Sequence, residues 1–290
     1  MLSVLGSASL SAQTYDSLQL LKGHKAKVYY STGNTDRAKQ IAVRCDNVLA
    51  YYKPVFGFEP EVTLLILSPA DWPTYSAKGA VYGMPHYSGS QTLIIAGQDN
   101  AFWQSQVPPI NKLPQEFASK FQATYTNQDN KLTMQGFFDL LAIHELGHAY
   151  HNQAKVKMQR RWMGELFPNI LLHTYIAEKE PALLPALTLF PKMMIMRDTA
   201  GLRYTSLEDF ESKYNEIAQK SPGNYGWYQC KLHAAAAMIY DTGGKDIVAK
   251  LWNALKGKNE VLGDTEFIAL LSDKADQSIA DVQLKWSAIK

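Results

Sequence analysis

Residues 140–153 read LLAIHELGHAYHNQ and place His144 and His148 in an otherwise apolar run. On a helix, residues four apart lie one above the other on the same face, so both imidazoles can point to one place. Glu145 lies close to that place but is turned aside, as suits a general base that takes a proton from metal-activated water. Gly147 allows a second backbone to approach closely. The stretch predicts a buried helix with two metal ligands; the alternative is a core helix with two hydrogen-bonded histidines.

The composition is that of a folded globular protein. The chain has 290 residues, of which 46% are hydrophobic and 19% are charged, enough for one large domain or two lobes with substantial cores. The net charge of +2 gives no strong electrostatic case for a nucleic-acid or anionic-membrane partner. No apolar run reaches the roughly 20 residues that span a bilayer, so we expect no transmembrane segment. Nothing in the composition sets an oligomeric state.

The first thirteen residues, MLSVLGSASLSAQ, are small and apolar and end in Ser-Ala-Gln. This pattern is typical of the last part of a secretory signal peptide cleaved after Ala12, although no Lys or Arg precedes the apolar run. We therefore expect export to the periplasm or the medium; the alternative is an unstructured amino terminus. Cys45 and Cys230 fit no zinc-knuckle spacing and form either one disulfide or two buried thiols.

The order of patterns predicts an α+β fold. Residues 35–53 have apolar side chains at helical spacing, whereas 61–68 and 90–97 are short and β-rich. Residues 98–133 show no clear period and are expected to form a long surface excursion. From 134 onward the chain is expected to be almost wholly helical. We predict a small strand-containing lobe over 14–135 packed on a mainly helical lobe over 136–290, with the active-site helix at the junction.

The helical part divides at its turn and capping signals. A capping box is expected where Ser206 precedes Asp209 by three residues. The predicted helical stretches are 160–181, 206–220, 224–244, 245–257 and two more towards the end, with a Pro- and Met-rich apolar stretch at 181–196.

A catalytic zinc usually has three protein ligands and an open fourth position. The metzincin pattern would need a glycine at 151 and a histidine at 154, but the chain has His151 and Ala154. That pattern is excluded, and the third ligand must lie elsewhere.

The stretch WMGEL, residues 162–166, places Glu165 on the next predicted helix with Trp162 three residues before it. Together with H-E-x-x-H, this resembles the gluzincin zinc metallopeptidases, the clan of thermolysin and the zinc aminopeptidases. The order of elements and the terminal GGKDIVAKLWNAL pattern are similar to small bacterial peptidases of that clan. The resemblance implies Zn²⁺ bound by His144, His148 and Glu165, with Glu145 as general base and a peptide or protein as substrate. Glu178 and Glu180 are alternative third ligands.

The resemblance extends to residues around the metal. Asn169 stands where thermolysin-like proteins carry an acidic residue that orients a ligand histidine, and an amide can accept the same hydrogen bond. His151 and His173 match no ligand of the family and are expected to be structural. The stretch YGMPHY, residues 82–87, is similar to the edge strand of the zinc aminopeptidases, but Pro85 and His86 replace the residues that hold a substrate amino terminus. We therefore expect no aminopeptidase activity; the strand at 92–96 is the competing edge.

Gluzincins supply a Tyr or His that stabilises the oxyanion, and NYGWYQCKLH, residues 224–233, offers three candidates. Tyr228 is ranked first because its distance from Gly243 matches the position of a tyrosine in the small peptidases of the clan. Tyr225 is ranked second, and His233 is the third candidate. The alternative is that these aromatic residues pack the lobe interface.

Two other functions compete with a peptidase. A zinc-dependent hydrolase of a non-peptide amide or ester would use the same residues. A non-catalytic binding protein on a peptidase scaffold is also conceivable, but it would have no chemical reason to keep Glu145.

Overall fold

The apolar stretches TLLIL and TLIIA form the centre of a five-stranded sheet in the computed structural model, which describes residues 14–89 and 91–290. The predicted signal-peptide segment, residues 1–13, lies outside these described residues. The strands are β1 (Gln19–Leu21), β2 (Lys27–Tyr30), β3 (Thr63–Leu67), β4 (His86–Ser88) and β5 (Thr92–Ala96).

The sheet has the order β1-β2-β3-β5-β4, with a parallel centre and an antiparallel strand at each edge. Leu64 of β3 pairs with Val28 on one side and Leu93 on the other. Four of the five residues in β3 and in β5 are buried, which explains their continuous apolar sequence. The strands predicted at 61–68 and 90–97 are thus confirmed, and β5 lies inside the sheet while β4 forms an edge.

The remaining elements are helices. The α-helices are α1 (Thr35–Phe56), α2 (Trp72–Tyr75), α3 (Ala101–Ser105), α4 (Gln115–Tyr125), α5 (Gln135–Gln153), α6 (Arg161–Lys179), α7 (Leu184–Ile195), α8 (Leu207–Lys220), α9 (Pro222–Gly243), α10 (Ile247–Leu255), α11 (Asp264–Leu270) and α12 (Gln277–Leu284). Short 3₁₀ turns lie at Ile110–Lys112, Pro181–Leu183 and Trp286–Ala288, and a π-turn at Leu271–Ala275. The α+β class is confirmed. So is the capping box, since the Ser206 side chain accepts from Asp209 N–H and the Asp209 side chain accepts from Ser206 N–H.

The surface excursion expected over residues 98–133 is wrong. This segment contains α3 and α4 and buries Trp103, Phe121 and Tyr125 in the core. Phe117, Phe121 and Tyr125 recur every four residues, which is helical spacing. Polar residues between them hide the period in the sequence.

The helix α1 joins the sheet to the metal helix. Arg37 forms a two-point salt bridge with Asp139 of α5. Arg44 binds Glu180, just beyond the end of α6, at 2.9 Å. The Tyr52 hydroxyl donates to the Leu171 carbonyl at 2.7 Å. These contacts attach α5 and α6 to the strand-containing part of the molecule.

The two cysteines are free and buried. The choice left open by the sequence is therefore decided for two buried thiols rather than a disulfide. Among the described helices, none combines the length and apolar character required to cross a bilayer.

Candidate metal centre

The metal-site helices α5 and α6 pack at unusually close range. A Cβ added at Gly147 would lie 2.6 Å from the Pro168 Cα and 2.7 Å from its Cβ, well inside contact distance. The expectation that Gly147 admits another backbone is confirmed. This close crossing brings the start of α6, with Glu165, against the two histidines of α5.

Three potential ligand side chains converge at this crossing. The Nε2 atoms of His144 and His148 are 3.1 Å apart. The Glu165 Oε2 lies 3.4 Å from His144 Nε2 and 3.6 Å from His148 Nε2. Two ligands about 2.1 Å from a tetrahedral zinc are separated by about 3.4 Å. The three side chains therefore form a buried group that could bind a metal ion.

Hydrogen bonds orient both imidazoles towards the same point. His144 Nδ1 donates to Asn169 Oδ1 at 2.8 Å, so the expected orienting role of Asn169 is confirmed and His144 Nε2 is left as an unprotonated acceptor. His148 Nδ1 lies 3.2 Å from His151 Nε2; in the neutral tautomer that donates there, His148 Nε2 also carries a lone pair. Two lone pairs and a carboxylate then face one another, an arrangement that a cation between them stabilises.

Glu165 is held by residues from two later helices. Tyr214 of α8 donates to Oε1 at 2.9 Å, and Gln229 of α9 donates to Oε2 at 3.0 Å. Burial raises the pKa of Glu165, but the two neighbouring imidazoles of His144 and His148 lower it more, and the pKa lies well below its ordinary value. Sequence reasoning missed Tyr214 and Gln229. The only local signal was that Gln229 lies one helical turn after Tyr225.

The pKa values of His148 and His151 are shifted in opposite directions. Burial lowers the pKa of His148, but the neighbouring Glu165 carboxylate raises it overall. Burial and the neighbouring His148 lower the pKa of His151 to about 3, so His151 is neutral near pH 7 and can accept a proton from His148 in a hydrogen bond. Although it was expected to be structural, His151 directly contacts a ligand of the metal group.

Glu145 lies in the chain between His144 and His148 but is not among the three potential metal ligands. Burial raises the pKa of its carboxyl above the ordinary value, Glu165 adds to this effect, and the two imidazoles of His148 and His144 oppose it. Within the described ranges, no hydrogen bond holds the Glu145 carboxylate. A carboxylate with a raised pKa and free oxygens is better suited to take up a proton than an ordinary carboxylate.

The edge strand β4 packs against α5, the helix that carries Glu145. Both ring nitrogens of His86 are engaged: Nδ1 donates to the Met84 carbonyl at 2.9 Å, and Nε2 accepts from Ala77 N–H at 3.1 Å. His86 is thus a structural residue of this segment.

The tyrosines proposed for the oxyanion lie in different places. The hydroxyl of Tyr228 donates to the Ser206 carbonyl at 2.8 Å, and its ring is fully buried. The Tyr225 ring lies 6.2 Å from that of Tyr214, and Glu165 and Glu145 both raise the Tyr225 pKa, after burial. The Tyr228 hydroxyl is thus bonded to the backbone of residue 206, whereas Tyr225 lies next to Tyr214, whose hydroxyl holds Glu165. His233 is buried, with its ring 6.2 Å from that of His144.

The alternative third ligands are engaged elsewhere. Glu178 accepts a hydrogen bond from the Tyr240 hydroxyl at 2.7 Å, and Glu180 binds Arg44. Neither belongs to the metal-binding group found among the described residues. Of the three glutamates considered, Glu165 is the one at the site.

Comparison of the chain with known protein families, with curated proteins and with solved structures finds no match.

Proposed function

We propose that this chain is a zinc-dependent peptide hydrolase of the gluzincin type. The observation that carries the proposal is the convergence of two oriented imidazoles and a buried carboxylate at metal-binding separations. A second carboxylate, Glu145, stands beside them with a raised pKa. Ligands and a separate base are the two parts that metal-assisted hydrolysis requires.

Zinc is the metal that this donor set fits best. Two imidazoles and one carboxylate are the ligand set of several catalytic zinc sites, which leave a fourth position open. When bound, zinc polarises a carbonyl and brings the pKa of water down towards about 7.

The protein's own side chains carry the proton transfers. Glu145 takes a proton from the attacking water and delivers it to the leaving amine. The Tyr225 hydroxyl donates a hydrogen bond to the oxygen on which negative charge develops. The open edge of β4 offers backbone donors and acceptors that can pair with an extended peptide.

Two rival functions use the same scaffold. A hydrolase of non-peptide amides or esters would keep the ligands and the base but lack a role for the β4 edge. A non-catalytic binding protein would have no chemical reason to keep the free carboxylate of Glu145, with its raised pKa, or the aligned imidazoles. Both features favour an enzyme.

The test combines metal analysis with a peptide-library digest. Protein purified without chelator should contain one zinc per chain and cleave peptides. Glu145→Gln should retain zinc and lose turnover by about 10²–10⁴-fold, as for a lost general base. A protein without zinc would support the binding-protein function, cleavage restricted to small amides or esters would support the other hydrolase, and full activity of Glu145→Gln would remove the assigned base.

A further inference from the structure

A cavity of about 320 Å³ lies between α6, α7 and α9, beyond the metal centre. This volume is near the lower end of the roughly 300–1,000 Å³ typical of ligand sites. Its floor is apolar and includes Leu187, Pro191, Ala237 and Met238. A cavity of this kind can enclose a small molecule with an aliphatic body.

Two buried histidines open onto this cavity without a protein hydrogen-bond partner. His173 of α6 and His233 of α9 both line it, and they are 6% and 7% exposed. In the described part of the chain, neither imidazole forms a hydrogen bond. Their ring nitrogens are not among the fully buried unpaired polar atoms of the described residues, so they are accessible from the cavity and can form hydrogen bonds with a polar occupant.

The rim carries charges of both signs. Lys192 of α7 and Lys290 contribute positive charge, and Asp241 of α9 contributes negative charge. Within residues 14–89 and 91–290, none of these three side chains forms a salt bridge. Burial lowers the pKa of the neighbouring His173, and the negative charge of Asp241 acts against this effect. An occupant that carries both a carboxylate and an ammonium group complements this rim better than an anion or a cation alone.

We propose that this cavity binds a free apolar amino acid as its zwitterion. The aliphatic side chain lies on the floor, the carboxylate faces Lys192 and Lys290, the ammonium group faces Asp241, and the two imidazoles bond to the polar head. The proposal does not depend on hydrolase activity, because none of the cavity residues named here is a ligand or the base of the metal centre.

Calorimetric titration of the full zinc-loaded chain with L-leucine tests the proposal. Binding should saturate at one leucine per chain at concentrations up to a few millimolar. Leucinamide and 4-methylpentanoate, which each lack one of the two charges, should bind at least about tenfold more weakly, the loss expected for one charge-assisted hydrogen bond.

Three variants connect the binding to this cavity. Ala237 is half-buried and lines the cavity floor. Ala237→Leu should fill this space and abolish leucine binding, while the zinc content stays unchanged. Lys192→Ala should weaken leucine but not leucinamide, and Asp241→Asn should weaken leucine but not 4-methylpentanoate. Lys220→Ala, an exposed lysine on α8, is the matched charge control and should bind leucine like the wild type.

Three results would overturn the proposal. The first is the absence of leucine binding by the wild-type chain. The second is leucine binding that survives Ala237→Leu. The third is a second zinc equivalent that disappears in His173→Ala, which would make the two histidines a metal site instead.

Discussion

The side chains of the three candidate metal ligands are each oriented by one or more identifiable neighbours. Asn169 fixes His144, His151 contacts His148, and Tyr214 with Gln229 fixes both oxygens of Glu165. Such partners typically contribute about 10–100-fold to metal affinity. The partners of the two histidines, Asn169 and His151, are a neutral amide and an imidazole rather than carboxylates. The histidines therefore gain orientation with little added negative charge.

Replacing the third ligand should remove tight zinc binding. Glu165→Ala should lower zinc affinity by more than the roughly 10–100-fold loss typical of residues that only orient a ligand, because it deletes a donor atom. Competition with a chromophoric chelator measures the affinity. Glu178→Ala is the matched control and should bind zinc normally. Full zinc occupancy of Glu165→Ala would contradict the assigned ligand set.

The two neighbouring tyrosines should separate activity from stability. Tyr225→Phe should lower kcat by about 10²-fold, as for a lost oxyanion donor, with little effect on unfolding. Tyr228→Phe leaves the Ser206 carbonyl without its donor and should lower the free energy of unfolding by about 1 kcal/mol, with kcat unchanged. Steady-state kinetics and urea denaturation measure the two effects. A large loss of kcat in Tyr228→Phe alone would restore the order expected from the sequence.

At the level of elements, the site depends on the crossing of α5 and α6. Pro168 has no backbone N–H to donate within α6, and its ring packs where Gly147 has no side chain. Gly147 lacks a Cβ and so leaves room for the Pro168 ring, and Pro168 lacks a backbone donor. The distance between the two helices therefore sets the distance between Glu165 and the histidines.

A single methyl group at this crossing should separate the helices. Gly147→Ala would place its Cβ 2.6 Å from the Pro168 Cα and should destabilise the protein by about 1–3 kcal/mol, as overpacking does, with weaker zinc binding. Gly136→Ala is the control on the same helix, since its Cβ would lie 3.8 Å from that of Ala186, an ordinary contact. Thermal unfolding of both variants measures the difference; equal stability would show that the crossing relaxes freely.

Long elements were more predictable than short ones. Helices such as α1, α6 and α8 have enough residues for apolar spacing to be visible, and the capping box marks the start of α8. By contrast, β1 and β4 have three residues each, too few for a period-two pattern. Such strands are set by pairing with a neighbour rather than by their own sequence.

At the scale of the whole molecule, the residues of the candidate metal centre also differ in how well the sequence predicted them. H-E-x-x-H and Gly147 are local in sequence, so the spacing alone indicated their geometry. Tyr214 and Gln229 are 49 and 64 positions from Glu165, and no local pattern links residues so far apart. The packing of α8 and α9 on α6 creates these contacts, and only the folded chain reveals them.

The core should also protect both thiols. Burial raises the pKa of Cys45 and, to about 12, that of Cys230, so little thiolate exists near neutral pH. Native protein should take up no maleimide, whereas protein unfolded in guanidinium should take up two, one per cysteine. Mass spectrometry counts the adducts. Rapid labelling of the native chain would contradict the buried placement.

The hydrogen bonds from α8 and α9 to Glu165 have a consequence for biosynthesis. The ribosome makes Gln229 64 residues after Glu165, a delay of about 3–13 s at 5–20 residues per second. During that interval, the nascent chain already carries His144 and His148 but lacks the donors that fix the third ligand. Under the proposed function, metal that meets the nascent chain would be held by two imidazoles and could leave again. Lasting metal capture would therefore require the completed chain, after α9 has docked.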